Sequence, residues 1–371
     1  MKIQVRKPFF PDSSILKIQK NINESLKIGR LSLGKNVLEM EKRFAKYLKI
    51  KYVVAVSSAT AGLHISLLSS NIKQGDEVIV PPKTFISTAN AAIYCNAKPI
   101  FCDVDEDSFN LDPKKLQKLI TKKTRAIIPV HIGGNICHMD EILEIATKNN
   151  LTVIEDAAHA HGATLQKKKA GTFGDLGVFS FYPDKVMASS DGGIIVTNNK
   201  SHYDQIQLLR NIGRKKMGEY DFTEIGYNYR MNEIQAIIVL EQLRILPEML
   251  KKRRKIASIY DEELKDLKDL KIQKIEKNVQ SSYYAYVLRL TNGNLKNLTK
   301  KLSRKGIETT PMFTSLYKTK IYKKILEKKY EKCPISELLD DQTFTIPLHP
   351  GLIEKEIHYV TKEIKNIINK N

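Results

Sequence analysis

The sequence predicts an α/β protein: a mostly parallel sheet flanked by helices, with a smaller C-terminal α+β domain. Three observations carry this. Short apolar, β-branched runs recur between residues 53 and 197, as expected of strands buried on both faces. Helical spacings lie between several of them, and that alternation builds crossover connections and a parallel sheet. Beyond about residue 232 the texture shifts to long helices and one alternating strand. Domain bounds of 1–245 and 246–371 follow.

Two helices open the chain. From Asp12, the residues Leu16, Ile18, Ile22 and Leu26 recur at helical spacing as far as Gly29, which can adopt a left-handed stop. A second helix runs from Asn36, with Val37, Met40, Phe44 and Leu48 on one face. Seven strand runs follow: VVAV (53–56), EVIV (77–80), PIFCDV (99–104), AIIPV (126–130), LTVIED (151–156), VFSF (178–181) and GIIVT (193–197). Helical stretches such as LHISLLSS, TANAAIYC and MDEILEIATKN separate several of them. NEIQAIIVLEQLRIL then starts a long helix that Pro247 is expected to interrupt or kink, because proline has no N–H and crowds the preceding turn. YYAYVLRL reads as a strand and NLKNLTKKLSRKG as a helix. The final helix aligns Ile357, Val360, Ile364 and Ile367 on one stripe that closes the small domain.

Composition excludes several classes. No apolar run reaches the roughly 18 residues a membrane span needs. The start, MKIQVRKPFFPDSS, lacks the apolar core and small-residue cleavage site of a signal peptide, so the expected compartment is the cytoplasm. Cys95, Cys102, Cys137 and Cys333 contain no Cys-x-x-Cys pair, which argues against a disulfide framework and structural zinc. His159, His161 and the Cys137-His138 pair lack a third ligand at a recognisable spacing, so no metal is expected. The net charge of +20 raises nucleic acid as a partner. Yet the lysines are spread along the whole chain, as on solvated faces, and a basic surface equally suits a phosphate-bearing substrate.

Four segments fall at strand exits, where open α/β sheets gather their functional groups. In VSSATAGLHISLL, Ser57, Ser58, Ala59 and Thr60 open a helix, whose free N–H groups form an anion site; simple capping by serine or threonine is the alternative. In VIEDAAHAHGA, Glu155 and Asp156 end a strand, and a buried carboxylate there needs a cationic or hydrogen-bonding partner. A protonated ring nitrogen would serve; a turn-capping aspartate is the plainer role. In FSFYPDKVMASSDGG, Ser180 leaves the strand and Lys185 follows behind Pro183. A lysine kept from solvent loses protons more easily and becomes a nucleophile toward an aldehyde, although most lysines are simply surface residues. In VPPKTFISTANAA, Phe85 is placed to stack on a flat heterocycle, or to fill the core. An anion site, a flat ring, a carboxylate and an amine together describe pyridoxal 5′-phosphate (PLP).

These residues resemble the DegT/DnrJ/EryC1/StrS group of PLP-dependent sugar aminotransferases, within the aspartate-aminotransferase (type I) fold. The likeness spans nearly the whole chain, through GRLSLGKNVLEMEKRFAKYL, VSSATAGLHISLL, DEVIVPPKTFISTANAA, EDAAHAHGA, GDLGVFSFYPDKVMASSDGG, EIGYNYRMNEIQA and IPLHPGL in order. It implies that Lys185 holds the cofactor covalently, that Asp156 pairs with the pyridine nitrogen, and that Ser180, Ala59 and Thr60 hold the phosphate. Phe85 would stack on the ring, with His159 near the ring oxygen. Asn228 and Arg230, in GYNYR, would reach the neighbouring subunit's cofactor in a homodimer. The implied reaction moves an amino group from L-glutamate, through the pyridoxamine form, to a keto group of a nucleotide-linked deoxysugar. Three departures stand out: Ala59 where glycine is usual, Ser-Ser-Asp-Gly-Gly in the turn after Lys185, and Tyr317 in place of a histidine near the expected sugar pocket. A type I enzyme acting on another keto substrate, or a non-catalytic basic regulatory or nucleic-acid-binding protein on this fold, are the alternatives. Lys185 itself argues against the dehydratase branch of the family, which has histidine there.

Overall fold

A computed structural model of the chain describes residues 2–215, 218, 220–326 and 331–369. The seven apolar runs form one seven-stranded sheet. Its strands are β1 (Tyr52–Val56), β2 (Glu77–Val80), β3 (Lys98–Phe101), β4 (Thr124–Ile127), β5 (Thr152–Asp156), β6 (Leu176–Ser180) and β7 (Gly193–Thr197), in spatial order β1-β7-β6-β5-β4-β2-β3. Strands β6, β5, β4, β2 and β3 pair in parallel, while β7 runs antiparallel to both its neighbours. The fold is thus the mostly parallel sheet expected.

Both sheet faces are dry, which is why the strands read as continuous apolar runs. Successive side chains on a strand point to opposite faces. Val53, Ala55, Ile127, Val153 and Phe179 accordingly join one core, and Val54, Val56, Ala126, Ile154 and Val178 the other. Helix α1 (Asp12–Ile28) is followed by α2 (Lys35–Leu48), which covers the first face with the buried Val37, Met40, Phe44 and Leu48. Helices α3 (Ala59–Ser69) and α4 (Ile86–Tyr94) cover the second. Helix α5 (Met139–Lys148) packs on the first face and α6 (Lys200–Arg210) on the second. Helix α1 stops at Gly29 in the left-handed region, as its position suggested. Its stripe, however, is not buried: Leu16 and Leu26 are exposed, and the buried members are Ser14 and Ser25.

Helix α7 (Glu233–Leu264) runs unbroken through Pro247, so the expected interruption is absent. A helix can continue past proline when tertiary packing outweighs the lost hydrogen bond. Here Leu246, Met249 and Leu250 are anchored in the first core and Ile256, Ala257 and Tyr260 in a third. That third core joins α7 to a second sheet, β8 (Leu270–Ile272), β9 (Tyr286–Leu290), β10 (Thr310–Pro311) and β11 (Thr343–Ile346), in order β8-β9-β11-β10. Helix α8 (Leu295–Arg304), helix α9 (Pro334–Gln342) and helix α10 (Glu354–Ile368) complete this part, and Ile357, Val360, Ile364 and Ile367 are buried as their stripe predicted. The first residues of the chain belong with it too. Ile3 bridges Ile307, and Val5 accepts from the Leu348 N–H. Among the described residues no helix is long and apolar enough to cross a membrane.

Candidate active site

The exits of β1, β2, β5 and β6 open into one cavity of about 640 Å³, lined by Ser58, Ala59, Thr60, Phe85, Asp156, His159, Ser180 and Lys185, among others. Eight of the sequence-predicted positions therefore have a place in or beside it, counting Ser58 with the phosphate cup. Asn228, Arg230 and Tyr317 do not line it. Asn228 is exposed and bridges Asn211, whose side-chain oxygen also accepts from Arg230 at 3.2 Å. Tyr317 is fully buried against Phe101, its hydroxyl 3.0 Å from Glu337 Oε1.

Adjacent residues on β5 divide two tasks. Glu155 points to the loop side and accepts from the N–H groups of Gly171, Phe173 and Gly174 at 2.6–2.7 Å and from His131 at 2.9 Å. Because the Cys137 N–H donates to His131 Nδ1, the proton of His131 sits on Nε2 and points at Glu155. Asp156 points the other way, into the cavity wall. Thr88 Oγ1 donates to its Oδ2 at 2.8 Å, Thr84 lies 3.0 Å behind Thr88, and the Ala158 N–H approaches Oδ1 at 3.2 Å. Burial pushes the Asp156 carboxyl up, opposed by the Thr88 and Ala158 donors and the charge of Lys185.

Lys185 is held on the far side of the turn. Its Nζ lies 3.4 Å from Asp184 Oδ1 and 3.4 Å from the Tyr284 hydroxyl, and sits over the Tyr284 ring at 4.6 Å. Burial lowers its pKa, with the Asp184 carboxylate pulling the other way. Tyr284 in turn donates to Asp184 Oδ2 at 2.8 Å, and Arg6 stands over the same ring at 4.7 Å. The His159 ring stacks on Tyr284 with centroids 3.9 Å apart. Burial drives the pKa of His159 far down, so the ring is neutral.

At the start of α3 the cavity meets backbone donors, as an anion would need. Ser58 caps α3 by accepting from the Ala61 N–H at 3.1 Å, and the first-turn N–H groups of a helix have no carbonyl of their own. Thr60 Oγ1 lies 2.7 Å from Ser87 Oγ. The Ser-Ser-Asp-Gly-Gly turn is what lets β7 run beside this cup. A Cβ on Gly193 would meet Ala59 N and Phe179 O at 2.8 Å, and Gly192 has φ 127°.

Arg6, Thr88, Tyr284 and Phe313 are site residues that the sequence reading did not single out. Thr84 and Thr88, one helical turn apart in KTFISTANAA, were the one visible signal. Tyr284 was hidden in an ordinary alternating strand, and Arg6 lies nearly two hundred residues from Lys185 in sequence (about 179 positions, a reach no local pattern spans).

These groups fit PLP on chemical grounds. The buried amine suits an aldehyde and the buried acid a ring nitrogen. The helix N-terminus suits a phosphate, and His159 Nδ1 is a buried polar atom without a hydrogen-bond partner in the cavity wall. The PLP form of Spr1654 from Streptococcus pneumoniae superimposes with a TM-score of 0.93 at 26% identity, covering 100% of this chain and 99% of its own. A DegT DnrJ EryC1 StrS aminotransferase from Brucella abortus does so at 0.90 and 31% identity, over 96% of each chain. Fold and site define a PLP-dependent aminotransferase with the type I architecture. Residues 13–365 match the model of the DegT/DnrJ/EryC1/StrS aminotransferase family, and the chain belongs to that family. Among its relatives, the GDP-perosamine synthase of Caulobacter vibrioides is 37% identical over 341 residues, 91% of each chain.

Proposed function

We propose that this protein transfers an amino group from an amino-acid donor, L-glutamate, to a keto group of a nucleotide-linked deoxysugar, in the making of a surface polysaccharide or related glycan. The observation that carries this reading is the shared cavity of Lys185 and Asp156, in a chain related over 91% of its length to a GDP-perosamine synthase. A cavity of about 640 Å³ has room for a cofactor and part of a sugar.

In this reading Lys185 Nζ holds the cofactor's aldehyde, Asp156 the ring nitrogen, and Ser58, Ala59, Thr60 and Ser180 the phosphate, with Phe85 and His159 beside the ring. PLP supplies an aldehyde that exchanges amines and a ring that takes up the electron pair released at the neighbouring carbon. The chain's own groups do the rest. Asp156 keeps its negative charge toward the ring nitrogen, and Thr88 orients it. Lys185 Nζ, with its proton affinity lowered by burial, takes and returns the proton at the reacting carbon. Tyr284 and Asp184 hold that amine in reach.

A homodimer with shared sites belongs to this reading. Leu16, Leu26, Ile28 and Leu38 are exposed on α1 and α2, and Phe222 and Ile225 on the segment leading to Asn228 and Arg230. Exposed apolar side chains in these numbers support a covered face. Four buried free cysteines support a reducing compartment, the cytoplasm.

The test is amination itself. Cofactor-loaded protein, glutamate and a panel of nucleotide keto-sugars should give the product mass of an amine, and Lys185→Ala should give none. Turnover of Lys185→Ala at the native rate sinks the assignment.

A further inference from the structure

Lys83 is a buried cation that the reaction described above does not use. It follows β2, its side chain is 3% exposed, and its partner Asp340 on α9 is 6% exposed. Nζ donates to the Phe313 carbonyl at 2.7 Å and to Asp340 Oδ1 at 3.2 Å. Asp340 Oδ1 also accepts from the Ser315 N–H at 2.9 Å, and Lys318 stands 3.2 Å from Oδ2. Beside this cluster the Leu316 N–H donates to the Pro82 carbonyl at 2.9 Å. Two segments far apart in sequence, 82–83 and 313–316, are thus tied together at three points.

What these ties hold is an unfavourable backbone. Phe313 has φ 56°, the left-handed region that a bulky side chain rarely enters. Such a conformation persists when its surroundings over-determine it, and it marks a place where geometry matters. Its ring lies parallel to His159, planes 4° apart and centroids 5.7 Å apart, and 6.5 Å from Phe85. Met312 and Phe313 both line the cavity. An apolar pair would fill the space of Lys83 and Asp340 at no cost in desolvated charge, so stability alone is a poor reason for the ion pair. Burial draws Lys83 down to about 8 against the attraction of Asp340, in keeping with a charge held where water is scarce.

We propose that Lys83 and Asp340 are positioning residues that latch Phe313 across the cavity, and that the Phe313 ring so held selects the acceptor sugar. This rests on the acceptor reading above. Lys83 and Asp340 do not line the cavity themselves and act through Phe313, while Asp156 and Lys185 keep their own partners in Thr88, Asp184 and Tyr284, so the effect expected is on the acceptor and not on cofactor capture or the glutamate half-reaction.

The chain has no tryptophan, so Phe313→Trp introduces a single reporter. In the cofactor-loaded full-length protein, that indole should be poorly accessible to acrylamide. Lys83→Met combined with Asp340→Leu removes the charges together and avoids stranding either one. Added to Phe313→Trp, it should raise quenching to that of an exposed indole. In the native-Phe313 background the double substitution should raise KM for the best keto-sugar on the order of tenfold or more. Cofactor affinity and the single-turnover rate with glutamate should stay unchanged, and Lys83→Arg with Asp340 intact should recover part of the loss. Unchanged indole quenching overturns the latch. A parallel loss in cofactor affinity and both half-reactions overturns the positioning role, because a merely structural pair behaves that way. If the native protein aminates no keto-sugar, the acceptor assignment falls with the reading it rests on, and the indole still decides the latch.

Discussion

Thr88 Oγ1 and Asp156 Oδ2 are 2.8 Å apart in the interior, and this hydrogen bond favours the charged form of the acid that faces the cavity. Burial raises the Asp156 pKa and the Thr88 donor opposes it. Thr88→Val keeps the shape and removes the donor. The carboxyl should then bind a proton more readily and pair less well with a ring nitrogen. Loss of a hydrogen bond to a charged group is worth about 1.5–3 kcal/mol, so kcat should fall roughly tenfold to a hundredfold. Thr88→Ser keeps the hydroxyl and should stay near the native rate. Steady-state rates across pH for the three proteins check this, with the acidic limb of Thr88→Val displaced upward.

This bond also shows what a sequence reveals and what it withholds. Asp156 and Lys185 were legible because strand exits announce themselves: an apolar run ends and a charged residue follows. The seven strands were legible for the same reason. Thr88 was not, because its partner lies 68 positions away and only the packing of α4 on the sheet brings them together. Glu155 was ambiguous with Asp156 until the pleat separated them. The stripe on α1 was legible as a helix with its stop at Gly29, although apolar periodicity gives a helix without saying what covers it. Pro247 misled because local propensity was weighed without the two cores that clamp α7. Tyr317 came from likeness to relatives, and its side chain lies outside the cavity lining.

Glu155 is a structural acid, and its removal should be felt in stability. It satisfies three backbone N–H groups and His131 at full burial. Glu155→Gln turns one acceptor oxygen into a donor, leaving at least one buried N–H facing another. The cost should be roughly 2–5 kcal/mol, the range for stranding buried hydrogen-bonding or charged groups. Urea denaturation measures it. A loss under about 0.5 kcal/mol, the scale of an ordinary surface change, would contradict the role.

Gly193 should be indispensable to the phosphate cup. A methyl there meets Ala59 N and Phe179 O at 2.8 Å and Ser58 C at 2.9 Å, all backbone atoms that cannot rotate aside. Gly193→Ala must push β7 from the start of α3 and spread its N–H groups. A displacement near 1 Å at such a site costs on the order of a hundredfold in rate. Cofactor titration followed by absorbance should show weakened binding, while Gly29→Ala, where no atom lies within 4 Å of the added methyl, should leave it unchanged.

Three buried histidines should make the protein acid-labile. Burial is the leading cause at each: His161 is lowered to about 3, His349 to about 4, and His159 is lowered as well, with the charges of Lys185, Arg253 and Lys7 adding to the effect in turn. In the unfolded chain each has a pKa near about 6.5. Below that value the unfolded state binds protons that the folded state refuses, so stability rises with pH through the window and is lost as pH falls. The loss should be absent above about 6.5 and continue toward about 4 and then about 3 as the folded rings finally titrate. Asp156 works the other way, since burial raises its pKa, as do Asp261 and His131, the last raised by its Cys137 and Glu155 contacts against burial; these groups subtract from the slope that the histidines set. The window between about 5 and 6.5 separates the histidines from ordinary carboxylates. Urea midpoints at fixed ionic strength should fall across that window, and His349→Gln should reduce the slope by up to about one proton. A midpoint that stays level from about pH 7 to about pH 5 would mean these rings are charged in the fold, and that the walls around His159 and His161 are wetter than their burial implies.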